Sequence, residues 1–181
     1  MMKYRYLLLV FSLLIPLPLQ AALKVFACEP EWAALAQELG GEHVDVTSAT
    51  QAMQDPHYIQ ARPSLIARIR KADLLVCTGA GLEAGWLPVL LRKGNNPRIL
   101  DGQVGHLMAS EHVMMKEIPA SVDRSMGDVH AGGNPHIQTD PRNIARVAGV
   151  LAERLKMLDS ANRDEHQRRY EDFSLRWNTA I

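Results

Sequence analysis

Two histidines stand in nearly identical tripeptides, Asp55-Pro56-His57 and Asn134-Pro135-His136, far apart in a chain of 181 residues. Proline fixes its own φ and pushes the residue before it toward extended geometry, so each histidine follows a stiffened loop. Neutral imidazole is the commonest protein ligand for zinc and also binds several other divalent ions. The repeated tripeptide therefore predicts two ligands of one metal site, provided that the fold brings the loops together.

Other residues near these tripeptides are candidates for accessory roles. His130 lies in a glycine-rich segment, residues 127–133, and is an extra ligand, a metal-recruiting group in a mobile loop or a surface residue. The surface interpretation is the favoured one. Asp55, Asp128 and Asp140 can offset the charge of the cation or hydrogen-bond to ligating imidazoles, although Asp140 is explained more simply as a helix cap. The remaining histidines have no supporting pattern and are expected to be structural or exposed: His43, His106, His112 and His166.

The elements that would position these loops alternate between strand and helix. Apolar runs predict strands at residues 24–28, 43–48 and 73–77, and weaker patterns suggest strands at 98–100 and 113–118. Helical spacing predicts helices at 31–39, from Pro63 onward and at 82–91. Asp140 and Pro141 predict a helix start, followed by an apolar stripe that breaks near residues 159–160 and then resumes.

This alternation predicts an α/β fold, a mainly parallel sheet with helices on both faces, followed by a long C-terminal helical segment. In such folds ligands bind beyond the carboxyl ends of the strands, where the following helices begin. Both Pro-His loops precede predicted helix starts. We therefore expect His57 and His136 to meet at that edge of the sheet.

The N-terminus predicts export. Lys3 and Arg5 precede an apolar run at residues 7–19 that is too short to span a bilayer, and small residues at Ala21-Ala22 provide a cleavage site. Residues 1–22 are thus interpreted as a signal peptide, and the mature chain as periplasmic. Cys28 in a weak lipoprotein-like context makes lipidation a minor alternative. No second apolar stretch of spanning length follows, so we expect no membrane insertion after signal removal.

Charge and cysteine content narrow the function further. The chain has 20 basic and 20 acidic residues, and removal of a leader that carries Lys3 and Arg5 leaves a net charge of −2. This balance argues against nucleic acid as a partner. Cys28 and Cys77 both fall in predicted strands. A disulfide and two buried free thiols both remain open, with the free thiols at least as probable as the bridge.

These residues, in this order, resemble the metal-binding solute receptors of bacterial ABC transporters, in particular the zinc-uptake branch of the zinc/manganese family. The similarity rests on residues 23–41, Asp55-Pro56-His57 with Arg62-Pro63-Ser64, residues 72–76 with Gly79, and residues 134–141. The resemblance implies two α/β lobes joined by a long helix, with the metal held between them. It assigns residues 23–139 to the first lobe and residues 140–181 to the start of the connector.

The resemblance also implies a function. His57 and His136 would be the ligands of the first lobe. The family's other ligands, a histidine or glutamate and an aspartate, belong to a second lobe that is not in this sequence, so we expect weaker capture by this chain alone. The implied role is a periplasmic receptor, not an enzyme, that binds Zn²⁺ (or Mn²⁺) and delivers it to a membrane permease. The alternatives are an exported metal-dependent hydrolase, and an adhesion or metal-buffering lobe without a transport role.

Overall fold

The fold is built on a small, fully parallel sheet. A computed structural model describes residues 21–123, 127 and 129–181, and the predicted signal sequence lies almost wholly outside them. The strands are β1 (Leu23–Ala27), β2 (Val44–Ser48), β3 (Leu74–Cys77) and β4 (His106–Met108). Their order in the sheet is β2-β1-β3-β4.

Helices cover both faces of this sheet, which confirms the predicted fold class. They are α1 (Pro30–Gly40), α2 (Pro63–Lys71), α3 (Leu87–Gly94), α4 (Pro141–Leu158) and α5 (Arg163–Ala180). Helices α1, α4 and α5 pack on one face, and α2 and α3 pack on the other. Among the described residues, no helix combines the length and the apolarity needed to cross a bilayer.

Successive side chains along β1 and β3 point to opposite faces of the sheet, so the hydrophobic core has two parts. Val25 and Ala27 point toward α1, whereas Phe26 and Cys28 point toward α2 and α3. The register pairs Ala27 with Val76. Cys28 and Cys77 therefore follow as neighbours on the same face of adjacent strands, and their sulfur atoms are joined in a disulfide. The structure thus decides against two free thiols.

Two predicted strands are wrong. In place of a strand at residues 98–100, Pro97–Ile99 forms a 3-10 turn, and the Arg98 backbone N–H donates to the Asn96 side chain that caps it. The fourth strand is instead β4, and residues 113–118 form no strand. Both errors come from short apolar runs, which lack the length to identify a strand. The predicted helix at residues 82–91 begins only at Leu87, where Pro88 occupies the first turn.

The two C-terminal helices, α4 and α5, pack on the same face of the sheet as α1. Helix α5 packs against α1 and α4, and Arg169 donates two hydrogen bonds to the Glu38 carbonyl oxygen, at 3.0 and 2.7 Å. His166, which the sequence places among charges, is fully buried, with its Nε2 3.0 Å from Asp159 Oδ2. Its role is structural, as expected.

Candidate metal centre

The first Pro-His loop follows β2 and leads toward α2, so it lies at the carboxyl edge of the sheet. Asp55 organises it: one carboxylate oxygen, Oδ1, accepts from the His57 backbone N–H at 2.9 Å and lies 2.7 Å from His57 Nδ1. The backbone N–H of His57, and then its ring, hold the pKa of Asp55 below its ordinary value. An ionised Asp55 places the ring proton on Nδ1, so the Nε2 lone pair of neutral His57 is left for a ligand.

Trp86 supports the same loop from below. Its indole Nε1 donates to the Pro56 carbonyl oxygen at 2.7 Å, and its side chain is 1% exposed. A buried indole of this kind fixes the backbone immediately before His57. Sequence analysis did not single out Trp86, because a tryptophan at the start of a helix is most simply interpreted as core.

The second Pro-His loop repeats the geometry of the first. Asn134 Oδ1 accepts from the His136 backbone N–H at 2.9 Å, as Asp55 Oδ1 does for His57. Asn134 also donates through Nδ2 to Glu117 Oε2 at 2.7 Å. Gly133 before it has φ +96°, and a Cβ there would lie 2.6 Å from the Lys116 carbonyl oxygen. Glycine is therefore required where this loop turns.

The two loops line one cleft of about 340 Å³, together with His130 and Glu117. His57 Nε2 and His130 Nε2 are 3.0 Å apart, and the two rings are stacked with centroids 5.1 Å apart. His136 also lines this cleft and is exposed. The structure therefore brings His57 and His136 to one edge of the sheet, and His130 with them.

His130 differs from the favoured expectation of a surface residue. It is partly buried, because His130 and Gly132 lie against the turn between β3 and α3. Gly81 in that turn has φ +90°, and a Cβ there would lie 3.2 Å from His130 Nδ1. The sequence around residues 113–133 has no periodicity, so nothing in it predicted that His130 would contact His57.

The His57–His130 pair has the spacing of two ligands of one cation. Two imidazole nitrogens on a tetrahedral zinc ion, each at about 2.0–2.1 Å from the metal, are roughly 3.4 Å apart. The observed 3.0 Å is close to this spacing, and both rings must turn so that their Nε2 lone pairs point at the cation and not at each other. His136 is less tightly placed: among the described residues, the group whose ligand atoms all lie within 4.8 Å is a different one, Cys28, Cys77 and Glu83.

Comparison with known proteins identifies the family. The family model described as zinc-uptake complex component A periplasmic, ZnuA, matches residues 25–180. This chain belongs to the ZnuA family.

Curated relatives of this ZnuA-family chain are named as transporter components. It is 24% identical over 155 residues to the manganese ABC transporter substrate-binding lipoprotein PsaA of Streptococcus anginosus, with 84% of this chain and 47% of PsaA covered. It is also 24% identical over 149 residues to the metal ABC transporter substrate-binding lipoprotein ScbA of Streptococcus cristatus, covering 81% and 45%. The chain thus spans about half the length of the curated relatives it matches.

Solved structures share the fold. A zinc-bound ZnuA with residues 138–173 deleted superposes with a TM-score of 0.71 at 25% identity, over 87% of this chain and 55% of that one. A manganese-bound periplasmic metal binding protein from Candidatus Liberibacter asiaticus gives a TM-score of 0.67 at 18% identity, over 85% and 52%. The second likeness shows the fold alone.

Among the described residues, Asp140 makes no hydrogen bond to a histidine of the cleft. Asp140 caps α4: Oδ1 accepts from the Arg142 backbone N–H at 3.0 Å, and the guanidinium of Arg142 also binds the carboxylate. The Arg142 side chain, and then its backbone N–H, lower the pKa of Asp140 to about 2. Asp128 lies outside the described residues.

The sequence pattern did not predict a buried pair of carboxyl groups. Glu29 and Glu83 are each 3% exposed and face one another behind the carboxyl ends of β1 and β3. Burial, and then the charge of Glu83, raise the pKa of Glu29 to about 9; burial also raises the pKa of Glu83. Their positions in the sequence could have indicated them. Glu29 comes shortly after β1 and Cys28, and Glu83 comes shortly after β3, which ends at Cys77.

Proposed function

We propose that this ZnuA-family chain is the metal-binding lobe of a periplasmic receptor that takes up a divalent cation, zinc in preference to manganese, and delivers it to the membrane permease of an ABC transporter. The observation that carries the proposal is the approach of His57 Nε2 to His130 Nε2, 3.0 Å, in a cleft that His136 also lines. Family membership supports a transport role, since the relatives are named as substrate-binding components.

Each histidine has a distinct part in this proposal. His57 is the best prepared ligand, because Asp55 fixes its tautomer and Trp86 holds its loop. His130 supplies the second nitrogen after giving up its contact with His57. His136 completes the set by a side-chain movement from its exposed position, and Glu117 across the cleft offers a carboxylate. Signal removal near Ala21-Ala22 remains part of the proposal.

The donor set favours zinc. Imidazole is a borderline donor that suits zinc, whereas manganese prefers carboxylate and carbonyl oxygens. Three imidazoles in one cleft therefore favour zinc over manganese. A hydrolase or an adhesion role finds no comparable support, because no described feature of the cleft favours either.

The test is zinc titration of the whole chain by competition with a chromophoric chelator. Removing the hydrogen-bond partner of a metal ligand typically lowers metal affinity by about 10- to 100-fold, and removing the ligand itself must lower it at least as much. His57→Ala should therefore weaken zinc binding by more than about 100-fold. His130→Ala and His136→Ala should each weaken it as well. The matched control is His43→Gln, since His43 precedes β2 at the opposite edge of the sheet.

Other results would contradict the proposed site or its preference for zinc. Unchanged affinity in the His57→Ala, His136→Ala double variant would remove the site. Affinity should also fall below about pH 6, because only neutral imidazole binds metal. A manganese affinity equal to or above that for zinc would contradict the preference while leaving the site intact.

A further inference from the structure

A second group of metal-binding side chains lies in the crevice where the strand order reverses. The chain runs from β1 to β2 on one side and then crosses to β3 on the other, so β1 and β3 flank the switch point at which α/β folds commonly bind ligands. Cys28 follows β1, and Cys77 ends β3. Both sulfur atoms and a carboxylate oxygen of Glu83 lie within 4.8 Å of one another.

The side chains of this group are buried from solvent, and one carboxylate oxygen among them has no hydrogen-bond partner. Both cysteines are fully buried, and Glu29 and Glu83 are nearly so. Glu29 Oε2 accepts from the Thr78 backbone N–H at 3.2 Å and from its hydroxyl at 3.0 Å, whereas Glu29 Oε1 is buried without a hydrogen-bond partner. The Gly79 N–H donates to Glu83. None of these described donors carries a positive charge, so without a cation the pair stays buried by holding a proton, which agrees with the raised pKa of Glu29.

We propose that reduction of the Cys28–Cys77 disulfide converts this group into a second metal site, in which both thiolates and the Glu83 carboxylate, with Glu29 as the fourth donor, hold a thiophilic divalent cation such as zinc or cadmium. In the oxidised protein the sulfur atoms are bonded to each other and the site is closed. The site shares no residue with the histidine cleft.

The chemistry balances with a dithiol as reductant. The dithiol gives two electrons and two protons, the Cys28–Cys77 bond breaks to two thiols, and the dithiol leaves as its own disulfide. When the cation binds, each thiol loses its proton to solvent, because the thiolate is the ligand. The proton that the raised pKa of Glu29 keeps on the carboxyl pair is also released to solvent.

The spacing and the charge suit such a cation. Two thiolates on a tetrahedral zinc ion are roughly 3.8 Å apart, with Zn–S of about 2.3 Å. The two sulfur atoms and the Glu83 oxygen already lie within 4.8 Å of one another, so a sulfur–sulfur separation of this size fits the site. The amides of Thr78 and Gly79 donate to the carboxyl groups, so they offset the remaining negative charge.

The test uses the whole chain with His57→Ala, His130→Ala and His136→Ala, which removes all three imidazoles of the histidine cleft as competing ligands. The protein is reduced with dithiothreitol, freed of it without oxygen and titrated with cadmium. Ultraviolet thiolate-to-cadmium absorption reports binding, and near-ultraviolet circular dichroism reports that the fold persists. We expect one cadmium per reduced chain and no thiolate band for the oxidised chain.

Variants of the two glutamates show whether cadmium binds to the thiolates alone or to a site that includes the carboxylates. Glu83→Gln should weaken cadmium binding to the reduced chain at least about tenfold, Glu29→Gln should weaken it less, and Glu42→Gln, an exposed carboxyl, should leave it unchanged. Equal affinity in Glu83→Gln and in the parent would overturn the proposal. So would failure of the reduced chain to bind one cadmium, or binding that occurs only when the near-ultraviolet signal has been lost.

Discussion

Replacing Glu29 by glutamine should flatten the dependence of stability on pH. The pKa of Glu29 is raised on folding from an ordinary value of 4.5 to about 9, chiefly by burial. Between these two values the folded protein holds a proton that the unfolded chain has released. The free energy of unfolding therefore falls as pH rises through this window.

The magnitude follows from one bound proton. A difference of one proton changes the free energy of unfolding by at most about 1.4 kcal/mol per pH unit. From about pH 5 to about pH 8 the wild type should therefore lose up to roughly 4 kcal/mol relative to Glu29→Gln. Solvent screening is small, because Glu29 is 3% exposed. The amide keeps an acceptor for Thr78 and gains a donor toward Glu83, so the variant should fold.

Urea unfolding at a series of pH values measures this effect. Trp32 and Trp86 are buried and report unfolding by fluorescence, and Trp32 lies beside the pair, since its Nε1 donates to Thr78 Oγ1 at 2.8 Å. The experiment is done without reductant to keep the disulfide. The control Glu42→Gln should follow the wild type. Parallel curves for wild type and Glu29→Gln would refute a proton held by the buried pair.

Three further substitutions test the supports of the cleft. Asp55→Ala removes the partner of His57 Nδ1 and should lower zinc affinity by about 10- to 100-fold, measured by chelator competition; unchanged affinity would contradict its role. Trp86→Phe leaves the Pro56 carbonyl without its donor and should cost about 1–3 kcal/mol of stability, measured by urea unfolding, whereas no loss would show that water replaces the indole. Gly133→Ala adds a Cβ that meets a carbonyl oxygen at 2.6 Å, so both stability and zinc affinity should fall; a neutral result would show that the loop relaxes freely.

The sheet and the meeting of the two Pro-His loops could be predicted from the sequence. Three strands have clear apolar runs, and the helices begin at proline-marked positions such as Pro63 and Pro141. In a parallel fold these signals are enough to place both loops at one edge. That inference needed no knowledge of side-chain contacts, because both loops precede helix starts, which lie at the carboxyl edge of a parallel sheet.

Features that depend on register or on long-range folding could not be predicted. The disulfide requires Cys28 and Cys77 to be neighbours across β1 and β3, which the register decides. The His57–His130 contact requires His130, which lies in an aperiodic part of the sequence, to reach the turn that contains Gly81. The short strand β4 has three residues, fewer than an alternation pattern needs to be visible.

The central claim is most directly tested by anomalous scattering at the zinc edge from crystals of the zinc-loaded chain. The account predicts a zinc peak at about 2.0–2.1 Å from both His57 Nε2 and His130 Nε2, with the His136 ring turned toward it. A zinc peak elsewhere on the molecule, with His57 and His130 still in contact with each other, would contradict it.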